Sequence, residues 1–273
     1  MLRGIVNTVR EKKPLIHAIT NYVTVNDVAN VLLACGGSPI MADDKEEVEE
    51  ITTLCDGLCI NIGTLNNHTI PSMFLAAKKA NIYHHPIVLD PVGAGASTMR
   101  TKISKQLIQE VTIDVVRGNI SEIKAIVSNV FDTQGVDANS SDTITEENLD
   151  TMIPIVKQWA KEINSIIVIT GAIDLVSDAT TCYVLRHGRK EMASITGTGC
   201  QLSGIVSAYI ASVPDQKLEA AMCAVCLMGI AGEVAWQYKK PYEGNATYRN
   251  RIIDAIYTIN GQELEGIAKY EKR

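Results

Sequence analysis

The sequence predicts an α/β fold in one domain, residues 1–273, with a mostly parallel central sheet and helices on both faces. Three observations carry that prediction. Short β-branched runs alternate with helical stretches over roughly 170 residues, the pattern of strand–helix–strand crossovers. No linker and no internal repeat interrupts them. Hydrophobic content is 46% with only two Trp and two Phe, so the core is aliphatic and large enough for a chain of this length.

Val6–Lys12 reads as an amphipathic helix stopped by Pro14. Leu15–Ile19 is a short apolar strand that delivers the polar elbow Thr20-Asn21. A helix follows over Thr24–Ala34, capped by Thr24 or a neighbour and closed by Gly36-Gly37. Ser38–Met41 is the next strand, and the acidic run Asp43–Glu50 begins a helix as its solvated face. Gly57–Ile62, Pro86–Leu89, Ile113–Val116 and Ser165–Ile169 are strands. Pro71–Ala80, Lys102–Glu110, a segment from Ser121-Glu122, and Glu146–Glu162 are helices. Phe131–Asp142 is polar and reads as a surface loop. Asp174–Ser177 and Thr181–Arg186 form an antiparallel hairpin. Three or four helices close the chain: Leu202–Ile210, Leu218–Tyr238, Ala246–Ile259 and Gly261–Tyr270.

Ligands of open α/β sheets bind at the carboxyl ends of the strands. Asn21, Met41, Gly63, Asp90, Arg117, Asn119 and Thr170 all fall there. The glycine turn Gly197-Thr198-Gly199-Cys200 runs into an apolar helix. Its unpaired N–H groups and the helix dipole make an anion hole, and a thiolate at Cys200 gains a lowered pKa. The same turn also suits a plain tight bend before a core helix. Asp90 and Glu122 would repel a phosphate unless a cation such as Mg²⁺ mediates. Arg117 adds a planar fork for phosphate oxygens. Alternatively Asp90 caps a turn, Glu122 decorates a first helical turn, and Arg117 pairs with one of them.

A net charge of −6 argues against nucleic-acid binding. The N-terminus lacks the apolar core of a signal peptide, and no run approaches the roughly 18 apolar residues of a membrane span, so a soluble cytoplasmic chain is expected. Seven scattered cysteines suit reduced thiols, and Cys223-Ala-Val-Cys226 reads as core. His17 reads as a satisfied core or turn residue. Neither a Walker pattern nor a dinucleotide fingerprint is present.

Seven stretches in order complete the picture: His17–Asn21 (HAITN), Ser38–Asp43 (SPIMAD), Leu58–Gly63 (LCINIG), Val88–Gly95 (VLDPVGAG), Arg117–Glu122 (RGNISE), Ile169–Gly171 (ITG) and Thr196–Cys200 (TGTGC). Together they make the chain similar, nearly end to end, to the hydroxyethylthiazole kinases of thiamine salvage, in the ribokinase-like superfamily. The resemblance implies ATP-dependent phosphorylation of the primary hydroxyl of 4-methyl-5-(2-hydroxyethyl)thiazole. Carried over by motif, Met41 and Gly197 contact the thiazole, and Asn21 and Gly63 help build that pocket. Arg117, Thr170 and Gly199 contact ATP. Asp90 and Glu122 match the Mg²⁺-associated acids, and Cys200 stands where most ribokinase-like relatives carry an Asp base. Such relatives are homotrimers with the site between subunits. The early position of Asn21, Met41 and Gly63 and the late position of Gly197 and Cys200 give the sequence its own motive for a shared site. Other readings on this fold are a kinase for the pyrimidine half of thiamine, an ATP-dependent dehydratase, and a catalytically dead regulatory protein.

Overall fold

A computed structural model describes residues 1–127 and 143–273. The surface loop expected at Phe131–Asp142 lies outside them. The strands are β1 (Leu15–Ile19), β2 (Ser38–Ile40), β3 (Gly57–Asn61), β4 (Ile87–Asp90), β5 (Val115–Gly118), β6 (Ile166–Ile169), β7 (Asp174–Ser177), β8 (Cys182–Leu185) and β9 (Tyr270–Lys272). They form one nine-stranded sheet in the order β2-β1-β3-β4-β5-β6-β7-β8-β9. Pairing is parallel from β2 through β6 and antiparallel from β6 to β9. The register sets Asn61 opposite Asp90, which brings two polar strand ends side by side.

Every residue of β3 and β4 is buried, as expected for parallel strands covered on both faces. Alternate side chains divide between two cores. Ile16, Ala18, Cys59, Val88, Val115 and Val168 face one, and Leu58, Ile60, Leu89, Val116 and Ile167 face the other. The first core is closed by α1 (Leu2–Lys12), α2 (Val25–Cys35), α8 (Thr198–Ser212), α9 (Lys217–Gln237), α10 (Asn245–Thr258) and α11 (Gly261–Ile267). The second is closed by α3 (Val48–Leu54), α4 (Thr69–Ile82), α5 (Thr98–Glu110), α6 (Ile120–Val127) and α7 (Leu149–Ile163). This is the layered, mostly parallel α/β architecture that the sequence predicts.

The differences have local causes. Thr24 does occupy the position before α2, but its side chain makes no capping bond. Asn21 Oδ1 accepts the Val23 and Thr24 N–H groups instead. The acidic run starts its helix only at Val48, because the Asp44 side chain folds back on the Glu46 N–H and closes a turn first. The last helix ends at Ile267, and the residues beyond it add β9 to the sheet through paired Cys182 and Arg273 backbone bonds. The segment Pro214–Gln237, which holds α9, is long and apolar enough by length and composition alone to cross a bilayer. It is instead the central helix of the first core, with 83% of its apolar window buried.

Candidate active site

The site grows from the carboxyl ends of β1, β3, β4 and β5 and the N-terminus of α8. Gly197 holds φ +85°, and a Cβ there would collide with the Thr24 side chain. At Gly199 a Cβ would collide with the Arg117 guanidinium. The two glycines therefore let the start of α8 press against the HAITN elbow on one side and Arg117 on the other. Because α8 packs across β1, β3 and β4, early and late elements meet within one chain. The sequence motive for a shared site, the separation of Asn21 from Cys200 along the chain, is thereby removed for that pair.

A hydrogen-bonded chain links those elements. Asn21 Nδ2 donates to Asn61 Oδ1 (3.0 Å) and to Cys200 Sγ (3.3 Å). Asn61 Nδ2 donates to Asp90 Oδ2 (2.7 Å) and to Cys200 Sγ (3.2 Å). Gly63 N–H donates to Asn61 Oδ1, and Ser203 Oγ donates to Asp90 Oδ2 at 2.9 Å. The sulfur thus receives two amide donors at a helix start. Even so, its thiol is shifted upward, first by burial and then by the Asp90 charge. The lowered pKa expected from the helix start is overturned, because desolvation and a neighbouring carboxylate outweigh the dipole.

Asp90 is fully buried, and burial raises its carboxyl against the opposing pull of Arg117, Ser203 and Asn61. Arg117 Nη1 lies 3.6 Å from Asp90 Oδ1, and Arg117 Nη2 donates to Thr170 Oγ1 at 2.6 Å. Asp90 Oδ1 has no hydrogen-bond partner. That open oxygen fits a hard cation, which takes oxygen ligands and keeps water and phosphate as its other partners. Glu122 is more tightly engaged. Its Oε1 accepts from Gly93 N–H and its Oε2 from Asn119 N–H, while Asn119 Oδ1 accepts the Glu122 N–H. This reciprocal cap starts α6, leaving Glu122 one further lone pair per oxygen. No cluster of three or more metal-ligating side chains exists among the described residues, so a bound cation would depend on phosphate and water ligands as well.

Beside this network opens a cavity of about 580 Å³. Arg117, Thr170, Thr198 and Gly199 line its inner end. Leu202, Val225, Met228 and Gly229 form an apolar wall, and the loop from Arg186 to Ala193 faces them. Asp174, at the start of β7, is also in the wall. Burial pushes its carboxyl up to about 7, against the Gly171 N–H bond and the Arg117 charge.

The structure therefore gathers Asn21, Gly63, Asp90, Arg117, Thr170, Gly197, Gly199 and Cys200 around one network, with Glu122 at its flank. Met41 is half-buried just past β2 and packs on the first core. His17 is core as expected, bridging Thr52 Oγ1 and the Ala42 carbonyl. Sequence reasoning missed Asn61, Ser203, Arg100 and Asp174. Asn61 was signalled as an amide ending an apolar strand. Ser203 was signalled by its place one helical turn after Cys200. Arg100, which donates to the Gly63 (2.6 Å) and Val92 carbonyls, had no sequence signal.

A model of the hydroxyethylthiazole kinase family matches residues 6–262. The chain belongs to the hydroxyethylthiazole kinase family. It is 51% identical over 271 residues to the hydroxyethylthiazole kinase of Clostridium acetobutylicum, covering 99% of each chain. The solved hydroxyethylthiazole kinase of Pyrococcus horikoshii superposes with TM-score 0.88 at 34% identity, over 100% of this chain and 98% of that one. The Staphylococcus aureus pyridoxal kinase in complex with AMP-PCP and pyridoxal shares the ribokinase-like fold, with TM-score 0.57 and 14% identity over 96% of this chain and 98% of that one. A kinase of this family uses ATP as co-substrate and a small alcohol as acceptor.

Proposed function

We propose that this chain, acting as one catalytic domain over residues 1–273, transfers the γ-phosphoryl group of ATP to the primary hydroxyl of 4-methyl-5-(2-hydroxyethyl)thiazole. The observation that carries the reading is the placement of Cys200 Sγ. It is held by Asn21 and Asn61 at the start of α8, between the Arg117-lined cavity and the carboxyl ends of β1 and β3. Asn21, Met41, Gly63 and Gly197 form the thiazole side. Arg117, Thr170 and Gly199 hold the phosphates, with the apolar wall of α8 and α9 against the base.

Phosphoryl transfer asks the protein mainly for positioning and charge stabilisation. N–H groups at the α8 start and the Arg117 fork spread charge on the transferring group. Cys200 takes the alcohol proton, and the two amide donors on its sulfur stabilise the thiolate. A loose transition state tolerates a late proton transfer, which suits a poor base. Asp90 and Glu122 would hold Mg²⁺, partly through water, and the ion would neutralise phosphate charge. Family membership favours this acceptor over the pyrimidine half of thiamine or a dehydration.

The assembly in this reading is a homotrimer with Met41 completing a neighbour's pocket. Tyr22 and Val23 stand 63% and 65% exposed beside the site. Exposed large apolar side chains grouped at a site mark a surface that a partner covers. ATP as co-substrate supports work in the cytoplasm. The test is a panel of alcohols assayed for ATP consumption and phosphoester product. Turnover of hydroxyethylthiazole above all others is expected; preference for a hydroxymethylpyrimidine would overturn the assignment.

A further inference from the structure

Asp174 sits where a phosphate cleft has no evident use for it. The inner end of the cavity carries Arg117 and the α8 N-terminus, both suited to anions. A carboxylate facing the same cavity would repel a triphosphate. It also carries a cost to the fold, since burial raises its pKa to about 7. One oxygen is used: Oδ1 accepts the Gly171 N–H at 2.9 Å and so closes the turn after Thr170. Arg186 and Arg189, the nearest loop cations by sequence, are engaged elsewhere, with Glu146 and Glu271 and with Glu191. They do not neutralise it. The second oxygen faces whatever enters the cavity and, once the carboxyl is ionised, takes a donor.

The position selects which donor. Asp174 is tied to Gly171, the residue after Thr170, and Thr170 holds Arg117 at the phosphate end. The apolar wall of Leu202, Val225 and Met228 belongs to the base. Between phosphates and base lies the sugar, whose hydroxyls are the donors available there. We propose that Asp174 is a specificity-determining residue that accepts a hydrogen bond from the ribose hydroxyls of the nucleotide, so that the enzyme distinguishes ribonucleotides from deoxyribonucleotides. This rests on the nucleotide occupying the 580 Å³ cavity, as in the function proposed above.

The experiment compares kcat/KM of the full-length enzyme for ATP, 2′-deoxy-ATP, 3′-deoxy-ATP and ITP in the wild type, Asp174→Asn and Asp174→Ala. A hydrogen bond to a charged acceptor contributes about 10-fold or more in affinity. Wild-type enzyme is expected to favour ATP over at least one deoxy analogue by that factor, with Asp174→Ala erasing the preference between the analogues. Asp174→Asn keeps an acceptor on the Gly171 N–H, so it preserves the turn and should retain part of the preference. Equal losses on every nucleotide, or a preference that tracks the 6-amino group through ITP, would overturn the inference. Photolabelling with 8-azido-ATP separates this failure from failure of the cavity assignment. Label on the 186–193 loop or on α9 keeps the nucleotide in the cavity, and label elsewhere removes both readings.

Discussion

At the scale of single residues, the sulfur of Cys200 is the most consequential departure from the sequence reading. Helix-start position was legible; burial and the Asp90 charge were not, because both depend on β4 lying beneath α8. A base whose pKa lies above the ordinary thiol range is protonated at neutral pH, so kcat/KM should climb as pH rises through that range. Cys200→Asp should shift the rising limb to lower pH and stay active. Cys200→Ala should lose about 100-fold in turnover with ATP binding nearly intact. A flat pH profile in the wild type, or a folded but inactive Cys200→Asp, would remove the base role. For the metal, Asp90→Asn should need more Mg²⁺ to reach half-maximal rate. Glu122→Gln should show a smaller shift, since both Glu122 oxygens already accept backbone N–H groups. Mg²⁺ titrations of initial rate distinguish them, and unchanged dependence in both would return these acids to purely structural roles. Asp174 gives a stability prediction. Its folded pKa of about 7 lies well above the ordinary aspartate range, so the fold binds a proton that the unfolded chain releases. Stability contributed by that proton is lost as pH rises toward 7. Asp174→Asn should therefore raise Tm more at pH 8 than at pH 5, by calorimetry at both.

Among the elements, α8 shows how much two glycines decide. The sequence marked the turn but started the helix at Leu202; the helix in fact begins at Thr198, inside the turn. Gly199→Ala should push Arg117 away from Thr170, raising KM for ATP by roughly tenfold while leaving thiazole affinity near the wild-type value. Gly197→Ala should be harsher, since a non-glycine residue in the left-handed region costs about 1–2 kcal/mol before any clash with Thr24. Thermal melts of both variants check this ordering. The strands β1 to β8 and most helices were legible because their burial pattern is written in local periodicity. Asn61 was not singled out because its value comes from the register that sets it against Asp90. The strand β9 was missed because a short chain end takes its form from the edge it pairs with, and Tyr270–Lys272 has no apolar alternation of its own.

For the whole molecule, the proposed homotrimer makes a prediction that a single chain cannot. Met41→Arg and Cys200→Ala proteins, each inactive, should regain activity after subunit exchange if Met41 serves a neighbour's site, because each mixed trimer then holds one intact pair. Verified exchange without recovered activity would place Met41 in its own chain's pocket. The sheet itself suggests an order of events. Strands β3 to β8 are laid side by side in the order in which they are synthesised, so each new strand finds its neighbour already made. The cover of one face arrives late: α8, α9 and α10 lie between residues 198 and 258. Until α8 and α9 leave the ribosome, the face of the sheet that carries Ile16, Cys59 and Val88 lacks the helix that packs on β1, β3 and β4, and α9 itself is a long apolar segment without its core. Nascent chains stalled before α9 should be digested by protease and held by chaperones, and those released after α10 should resist digestion. The last third of the chain thus governs when this kinase first becomes safe from aggregation.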